Sequence, residues 1–224
     1  MQYSRLFPKT LKQAPSGAEC LNQKLLVRAG FIHQEMAGVY TYLPLGLRVL
    51  DKISNIVREE MDKIGGQELL MPALHPKGNW AKTGRLKSFD ALYKLKDAVL
   101  GPTHEEIIYP LLSEHVKSYK DLPLYLYQIQ MKFRNEPRAK AGLLRGREFL
   151  MKDLYSFHTS DEDRNAYYEK VRESYFKIFK KLGIEVLSTK AAGGTFSDLS
   201  EEFQVVTSSG EDTIFICKKC DAVI

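Results

Sequence analysis

YQIQMKFRNEPRAKAGLLRGREFLMKDLYSF, residues 127–157, decides how this chain is read. Apolar and polar residues alternate with a period of two, which is the signature of a strand that buries one face. In the first strand Tyr125, Tyr127, Ile129, Met131 and Phe133 share one face, and Gln128, Gln130, Lys132, Arg134 and Glu136 share the other. In the second, Phe149 sets the phase for Met151, Asp153, Tyr155 and Phe157. If the two strands pair antiparallel, these polar and aromatic rows line one floor. The connection PRAKAGLLRG is too long for a two-residue turn and carries Arg138, Lys140 and Arg145 over that floor. Guanidinium groups offer a fork of donors matched to phosphate oxygens, so a polyphosphate is the expected guest. The plain alternative is an amphipathic hairpin whose charged face simply meets water.

A second cluster lies in LGPTHEEIIYPLLSEHV, where a Gly-Pro turn precedes a helical pattern. Thr103 and Glu106 have capping-box spacing, and Ile107, Leu111, Leu112 and Val116 would form the buried stripe. That reading leaves Glu105 without a structural duty.

Upstream, Leu50, Ile53, Val57 and Ile64 recur at helical spacing from Gly46 onward, and Gly65-Gly66 offers a left-handed stop. QELLMPAL follows as a strand, with Pro72 placing it at an edge or a bulge. Downstream, Asp161, Glu162 and Asp163 open a helix that Lys180 and Lys181 close, the charge order that complements a helix dipole. Its buried side is expected at Val171, Tyr175, Ile178, Phe179 and Leu182. IEVLSTK, EEFQVVT and DTIFIC then read as strands, with AAGGTFSD as a loop and SSGED as a turn.

With 224 residues and 44% hydrophobic content the chain can bury a real core. A net charge of +5 suits anionic partners but is too mild to argue for nucleic acid by itself. There is no apolar run long enough to span a bilayer and no signal-like start, so a cytoplasmic protein without a membrane partner is expected. Cys217 and Cys220 form a single Cys-x-x-Cys that would be half a zinc site or a redox pair; no bound metal is expected, because four ligands are needed.

FRNE followed by LLRGREF resembles the second signature motif of the class II aminoacyl-tRNA synthetases, and REFLMKDLYSFH is similar to that of the bacterial prolyl-tRNA synthetases. SRLFPKTLKQAP and AGVYTYLPLGLRVL resemble the same family, so the likeness runs along nearly the whole chain. It implies an α+β fold, an antiparallel sheet flanked by helices. A first-motif-like segment would fall at about 46–74, a Thr-x-Glu loop at 103–105 and the second motif at about 132–153.

The roles it implies are these. Arg134 bridges the ATP α-phosphate and the amino-acid carboxylate, Glu136 reads the adenine amino group, Arg145 holds the γ-phosphate and Phe149 stacks on adenine. Thr103 and Glu105 bind the proline carboxylate and secondary ammonium, while Met151, Asp153 and Tyr155 complete the pocket. The implied reaction uses ATP with Mg²⁺, L-proline and tRNA(Pro), in a homodimer. No arginine follows Arg172, so the third motif of the class is expected to be absent, with the editing insertion and the anticodon-binding domain. The chain by itself is then expected to be nearly inactive. Two other readings remain: a non-catalytic binding or regulatory protein, and a class II synthetase for another amino acid such as threonine.

Overall fold

The computed structural model describes residues 2–18, 20–191, 200–207, 210 and 212–217. The chain divides into two compact units, Met1–Asn165 and Ala166–Ile224.

The first unit opens with α1 (Leu21–Arg28) and an antiparallel hairpin, β1 (Ile32–Met36) with β2 (Val39–Tyr42). Next comes α2 (Pro44–Lys63), with Pro44 in its first turn, where the missing N–H costs nothing. The helix therefore starts two residues earlier than the apolar spacing suggests. It stops at Ile64 because Gly65 takes φ +85°, a left-handed conformation that only glycine adopts without strain.

Beyond it lie β3 (Gln67–Glu68), β4 (Leu74–Pro76), α3 (Lys77–Lys82), α4 (Arg85–Ser88), β5 (Tyr93–Lys94), β6 (Ala98–Leu100) and α5 (Glu105–His115). The unit's long hairpin is β7 (Leu124–Phe133) with β8 (Glu148–Phe157), in the order β3-β7-β8. β3 does sit at the edge, but it pairs parallel to β7 and spans only two residues of the expected strand. Pro72 falls between β3 and β4. A separate antiparallel sheet has the order β4-β6-β5.

The β7–β8 ladder pairs Leu126 with Tyr155, Gln128 with Asp153, Gln130 with Met151 and Lys132 with Phe149. Side chains opposite one another share a face, so the expected floor exists in register. The polar face is not the wet one. Gln128 and Lys132 are fully buried on it, as Tyr127 is on the other. Its Leu124, Leu126, Tyr155 and Phe157 end packs against Met71, Ile108 and Leu112, the last two from α5. On the opposite face the Tyr127 hydroxyl donates to Asp62 of α2 at 2.6 Å.

Two details of α5 differ from the sequence reading. Ile108 is fully buried, whereas Leu111 is over a third exposed. The N-cap residue is His104 and no side chain caps the helix, so Thr103 and Glu106 make no capping box. Glu106 is taken elsewhere, as described below.

A second core cluster gathers Trp80, Phe89, Leu92 and Val99 around β6. No helix is long and apolar enough to cross a membrane among the described residues.

The unit boundary falls within α6 (Asp161–Lys181). In the second unit β9 (Leu187–Ala191) and β10 (Ser200–Gln204) pair antiparallel. Phe203 packs on the rings of Tyr175, Phe176 and Phe179, at centroid distances of 5.3, 5.0 and 5.9 Å. Ile178 is buried as expected, and Tyr167 and Ser174 join it, whereas Val171 and Leu182 are half-buried. The expected strand DTIFIC does not form: its residues hold only an isolated bridge position at Ile216. The AAGGTFSD loop from 192 on, most of the SSGED turn and Cys220 lie outside the described residues.

Candidate active site

The site starts where β7 ends. Arg134 follows Phe133 directly, and its amide donates to the Arg147 carbonyl at 2.9 Å, so the ladder carries Arg134 onto the floor's row. Its guanidinium donates from Nε and Nη2 to the Pro102 carbonyl at 3.4 and 3.3 Å and lies 5.3 Å over the Phe149 ring. Burial lowers its pKa, against the opposing pull of Glu105 and Glu136. Arg134 thus joins the two expected halves of the site: the Phe149 shelf and the 101–105 loop.

Thr103 is buried and donates to the Glu105 carboxylate. Glu105 stays partly exposed at the head of α5. The His104 amide donates to the Tyr155 hydroxyl at 3.0 Å, and that hydroxyl donates to Asp153 Oδ2 at 2.8 Å. Burial, then Glu105 and Asp153, push the Tyr155 phenol well above its usual range, so it stays a neutral donor. Met151 stands on the same face, opposite Gln130. Thr103, Glu105, Arg134, Asp153 and Tyr155 are therefore linked through hydrogen bonds and mutual fields, with Met151 placed beside them by register.

Glu136 and Arg145, expected on opposite ends of the nucleotide, lie against each other, with Arg145 Nε 3.2 Å from Glu136 Oε2. Burial by itself would raise the Glu136 carboxyl; the Arg138 amide, Arg145 and Arg147 outweigh it and hold the group below its ordinary value. Arg147, which the motif reading left unassigned, donates from Nε to the Glu136 carbonyl at 2.8 Å. Its amide donates to Gly38 at 2.7 Å, docking the β1–β2 turn on the loop.

Beneath the candidate residues lies a buried polar layer whose function the sequence did not show. Lys132 Nζ is 2.7 Å from Asp153 Oδ1 and 2.7 Å from His104 Nδ1. His104 Nε2 lies 3.1 Å from the Pro72 carbonyl, which can only accept. The His104 proton is therefore on Nε2, and Nδ1 accepts from the lysine. Burial, then the charge of Lys132, lowers the His104 pKa to about 4. Burial, with His104 and Lys132, lowers that of its ring neighbour His75 to about 3, so both imidazoles are neutral near pH 7. Gln128 spans the layer, accepting from the Met71 amide and donating to Asp153 Oδ2, both at 3.0 Å. Gly101 is required here for space: a Cβ would meet His75 Nε2 at 2.4 Å.

Arg85 is a second residue that spacing could not reveal. Its Nη1 lies 2.8 Å from the buried Glu106 and 3.6 Å from Glu105, beside the Trp80 and Phe89 rings. Thr83 donates to the same Glu106 carboxylate at 3.2 Å. Glu106 is thus an anchor for α3 and α4, which removes it from any cap. A separate surface cavity of about 780 Å³ lies against Tyr109, Phe157, His158 and Arg164, and none of the candidate residues lines it. Among the described residues no group of three His, Cys, Asp or Glu side chains is placed to hold a metal ion.

This hairpin, with an arginine, an aromatic shelf and a Thr-x-Glu loop on one floor, is matched by a family model. The tRNA synthetase class II core domain (G, H, P, S and T) covers residues 93–222, more than half of the chain, and the chain belongs to that family. Within it the likeness is to proline enzymes. The chain is 50% identical over 225 residues to Proline--tRNA ligase 1 of Streptomyces avermitilis, covering 97% of this chain and 40% of that protein. It is also 50% identical over 228 residues to the Proline--tRNA ligase of Syntrophomonas wolfei, covering 99% and 40%. It spans about 40% of the length of these relatives. Among solved structures, Giardia lamblia prolyl-tRNA synthetase in complex with prolyl-adenylate aligns with a TM-score of 0.72 and 25% identity, over 79% of this chain and 39% of that one. Prolyl-tRNA synthetase from Cryptosporidium parvum, complexed with L-proline and AMP, shares the fold at a TM-score of 0.69 and 19% identity, over 80% and 38%.

Proposed function

We propose that this chain carries the proline and ATP floor of a proline–tRNA ligase, the enzyme that activates L-proline as prolyl-adenylate and transfers it to tRNA(Pro). The observation that carries this reading is the position of Arg134, between the Phe149 ring and the Pro102 carbonyl and in the field of Glu105. A group there can hold a nucleotide phosphate and an amino-acid carboxylate at once. The 50% identity to proline–tRNA ligases supports proline as the amino acid.

In the activation step a proline carboxylate oxygen bonds to the α-phosphorus of ATP and the bond to pyrophosphate breaks. No side-chain nucleophile or strong base is needed. What the step demands is alignment and cancelled charge, and Arg134 supplies both from a half-buried position. Phe149 is the adenine shelf and Glu136 the acceptor for its amino group. Arg145 holds the γ-phosphate once it exchanges its Glu136 partner for the nucleotide. Mg²⁺ enters as part of the nucleotide substrate, bound to its phosphates. Thr103 and Glu105 take the amino acid, with Met151 and Tyr155 enclosing its ring.

The assembly is a cytoplasmic homodimer. The exposed apolar residues Leu47, Val49 and Ile53 on α2 support that pairing. Pyrophosphate exchange into ATP, dependent on proline, tests the function. Exchange is expected from the full-length protein, to fall below detection in Arg134→Gln. Exchange driven equally well by threonine would overturn the choice of proline.

A further inference from the structure

Four charged side chains face the amino-acid end of the floor: Lys132, Arg134, Glu105 and Asp153. Lys132 is fully buried and Asp153 nearly so, and Nζ lies 2.7 Å from Oδ1. The Oδ1 atom is sealed from solvent, so the ammonium and the carboxylate are held together by charge in a buried setting. The other carboxylate oxygen is saturated. It accepts from Gln128 Nε2 at 3.0 Å and from the Tyr155 hydroxyl at 2.8 Å. Lys132 is committed in turn, since it also donates to the His104 lone pair at 2.7 Å. A buried ion pair of equal and opposite charges presents no net charge to a ligand.

We propose that Lys132 cancels Asp153, which makes Asp153 a positioning residue and leaves Glu105 as the one anionic contact for the proline ammonium. Arg85, 3.6 Å from Glu105, is balanced by the buried Glu106 at 2.8 Å, so the remaining charges are one cation, Arg134, and one anion, Glu105. That is the complement of a zwitterionic amino acid, its carboxylate toward Arg134 and its ammonium toward Glu105. Two free carboxylates would instead leave the pocket with one uncompensated negative charge when the ligand is bound. Asp153 acts through Tyr155, whose hydroxyl it orients and which accepts the His104 amide at the start of the α5 loop. The ion pair thereby fixes the loop that presents Glu105. This inference rests on the proposed proline site.

The test compares the affinity of the protein for L-proline with that for tetrahydrofuran-2-carboxylate, which has the same ring and carboxylate but no ammonium. Calorimetry is run on the wild type, Glu105→Gln, Asp153→Asn and the charge-neutral pair Lys132→Met with Asp153→Asn. The wild type should prefer proline by about 100-fold, the range of a desolvated charge pair. In Glu105→Gln that preference should fall below about threefold, while the double variant keeps it within about fivefold of wild type. Asp153→Asn by itself, leaving Lys132 without its partner, should bind proline less well than the double variant. A preference that survives in Glu105→Gln and collapses in the double variant would show Asp153 to be the ligand and overturn the proposal. Thermal unfolding of each variant identifies any loss that is merely unfolding; should the double variant not fold, the Glu105→Gln result decides. A wild type that binds no proline fails at an earlier point, overturning the proposed function and this inference with it.

Discussion

The Tyr155 hydroxyl accepts the backbone amide hydrogen of His104 at 3.0 Å, joining β8 to a loop 51 residues away in sequence. The same hydroxyl donates to Asp153, so one phenol oxygen ties the floor to its wall. Replacing Tyr155 with Phe leaves a buried amide without its acceptor and frees an Asp153 lone pair. The expected loss is about 1–3 kcal/mol of unfolding free energy, the cost of stranding a buried polar group. Urea unfolding measures it, and proline affinity should fall in parallel because the loop bearing Glu105 loosens.

Much of this arrangement was legible in the sequence. Period-two alternation placed Gln128, Gln130, Lys132 and Arg134 on one row and Phe149, Met151, Asp153 and Tyr155 on another, and the register brings the rows together. Local patterning encodes which face a strand residue takes, but not what covers that face. Lys132 is buried because His104 and Asp153 meet it from 28 residues before and 21 after, and no spacing rule shows that. Glu106 was misread as half a capping box for the same reason: Arg85 and Thr83, distant in sequence, claim its carboxylate. The α5 stripe was set wrongly at Leu111, since apolar spacing alone could not tell which neighbour, Ile108 or Leu111, meets Met71. DTIFIC has strand composition, yet no described neighbour pairs with it along its length.

Gly101 has no room for a side chain. In Gly101→Ala the new methyl group would press on His75 and His104, displacing the layer beneath the site. Overpacking of this kind costs about 1–3 kcal/mol. A lowered thermal midpoint, with proline affinity reduced more than ATP affinity, is the expected outcome.

The neutral imidazoles make stability depend on pH. The folded-state pKa values, about 3 for His75 and about 4 for His104, lie below the ordinary 6.5. Between those values the unfolded chain binds protons that the folded chain refuses. Their contribution is complete above pH 6.5 and is lost as pH falls toward 4 and then 3, with a slope of up to about 1.4 kcal/mol per pH unit for each histidine. Urea midpoints between pH 7 and 4 should show the decline. His75→Gln, which can still accept from Trp80, should make it shallower.

Glu136 and Arg145 hold each other, and the proposed nucleotide contacts require them to part. Glu136→Gln removes that competitor for Arg145 and also weakens the reading of the adenine amino group. Affinity for inorganic triphosphate should therefore rise by about 2–5-fold, the size of a partly exposed ion pair, while affinity for ATP falls. Competition binding with the two ligands reads both changes in one experiment.

The most direct measurement is a calorimetric titration of the chain with a non-hydrolysable prolyl-adenylate analogue. One analogue per chain should bind, with affinity reduced at least about 100-fold in Arg134→Gln, as for loss of a buried, charge-assisted contact. The threonyl counterpart should bind far more weakly. Equal affinity for the two analogues, or binding that Arg134→Gln leaves unchanged, would contradict the assignment of this hairpin as the proline and ATP floor.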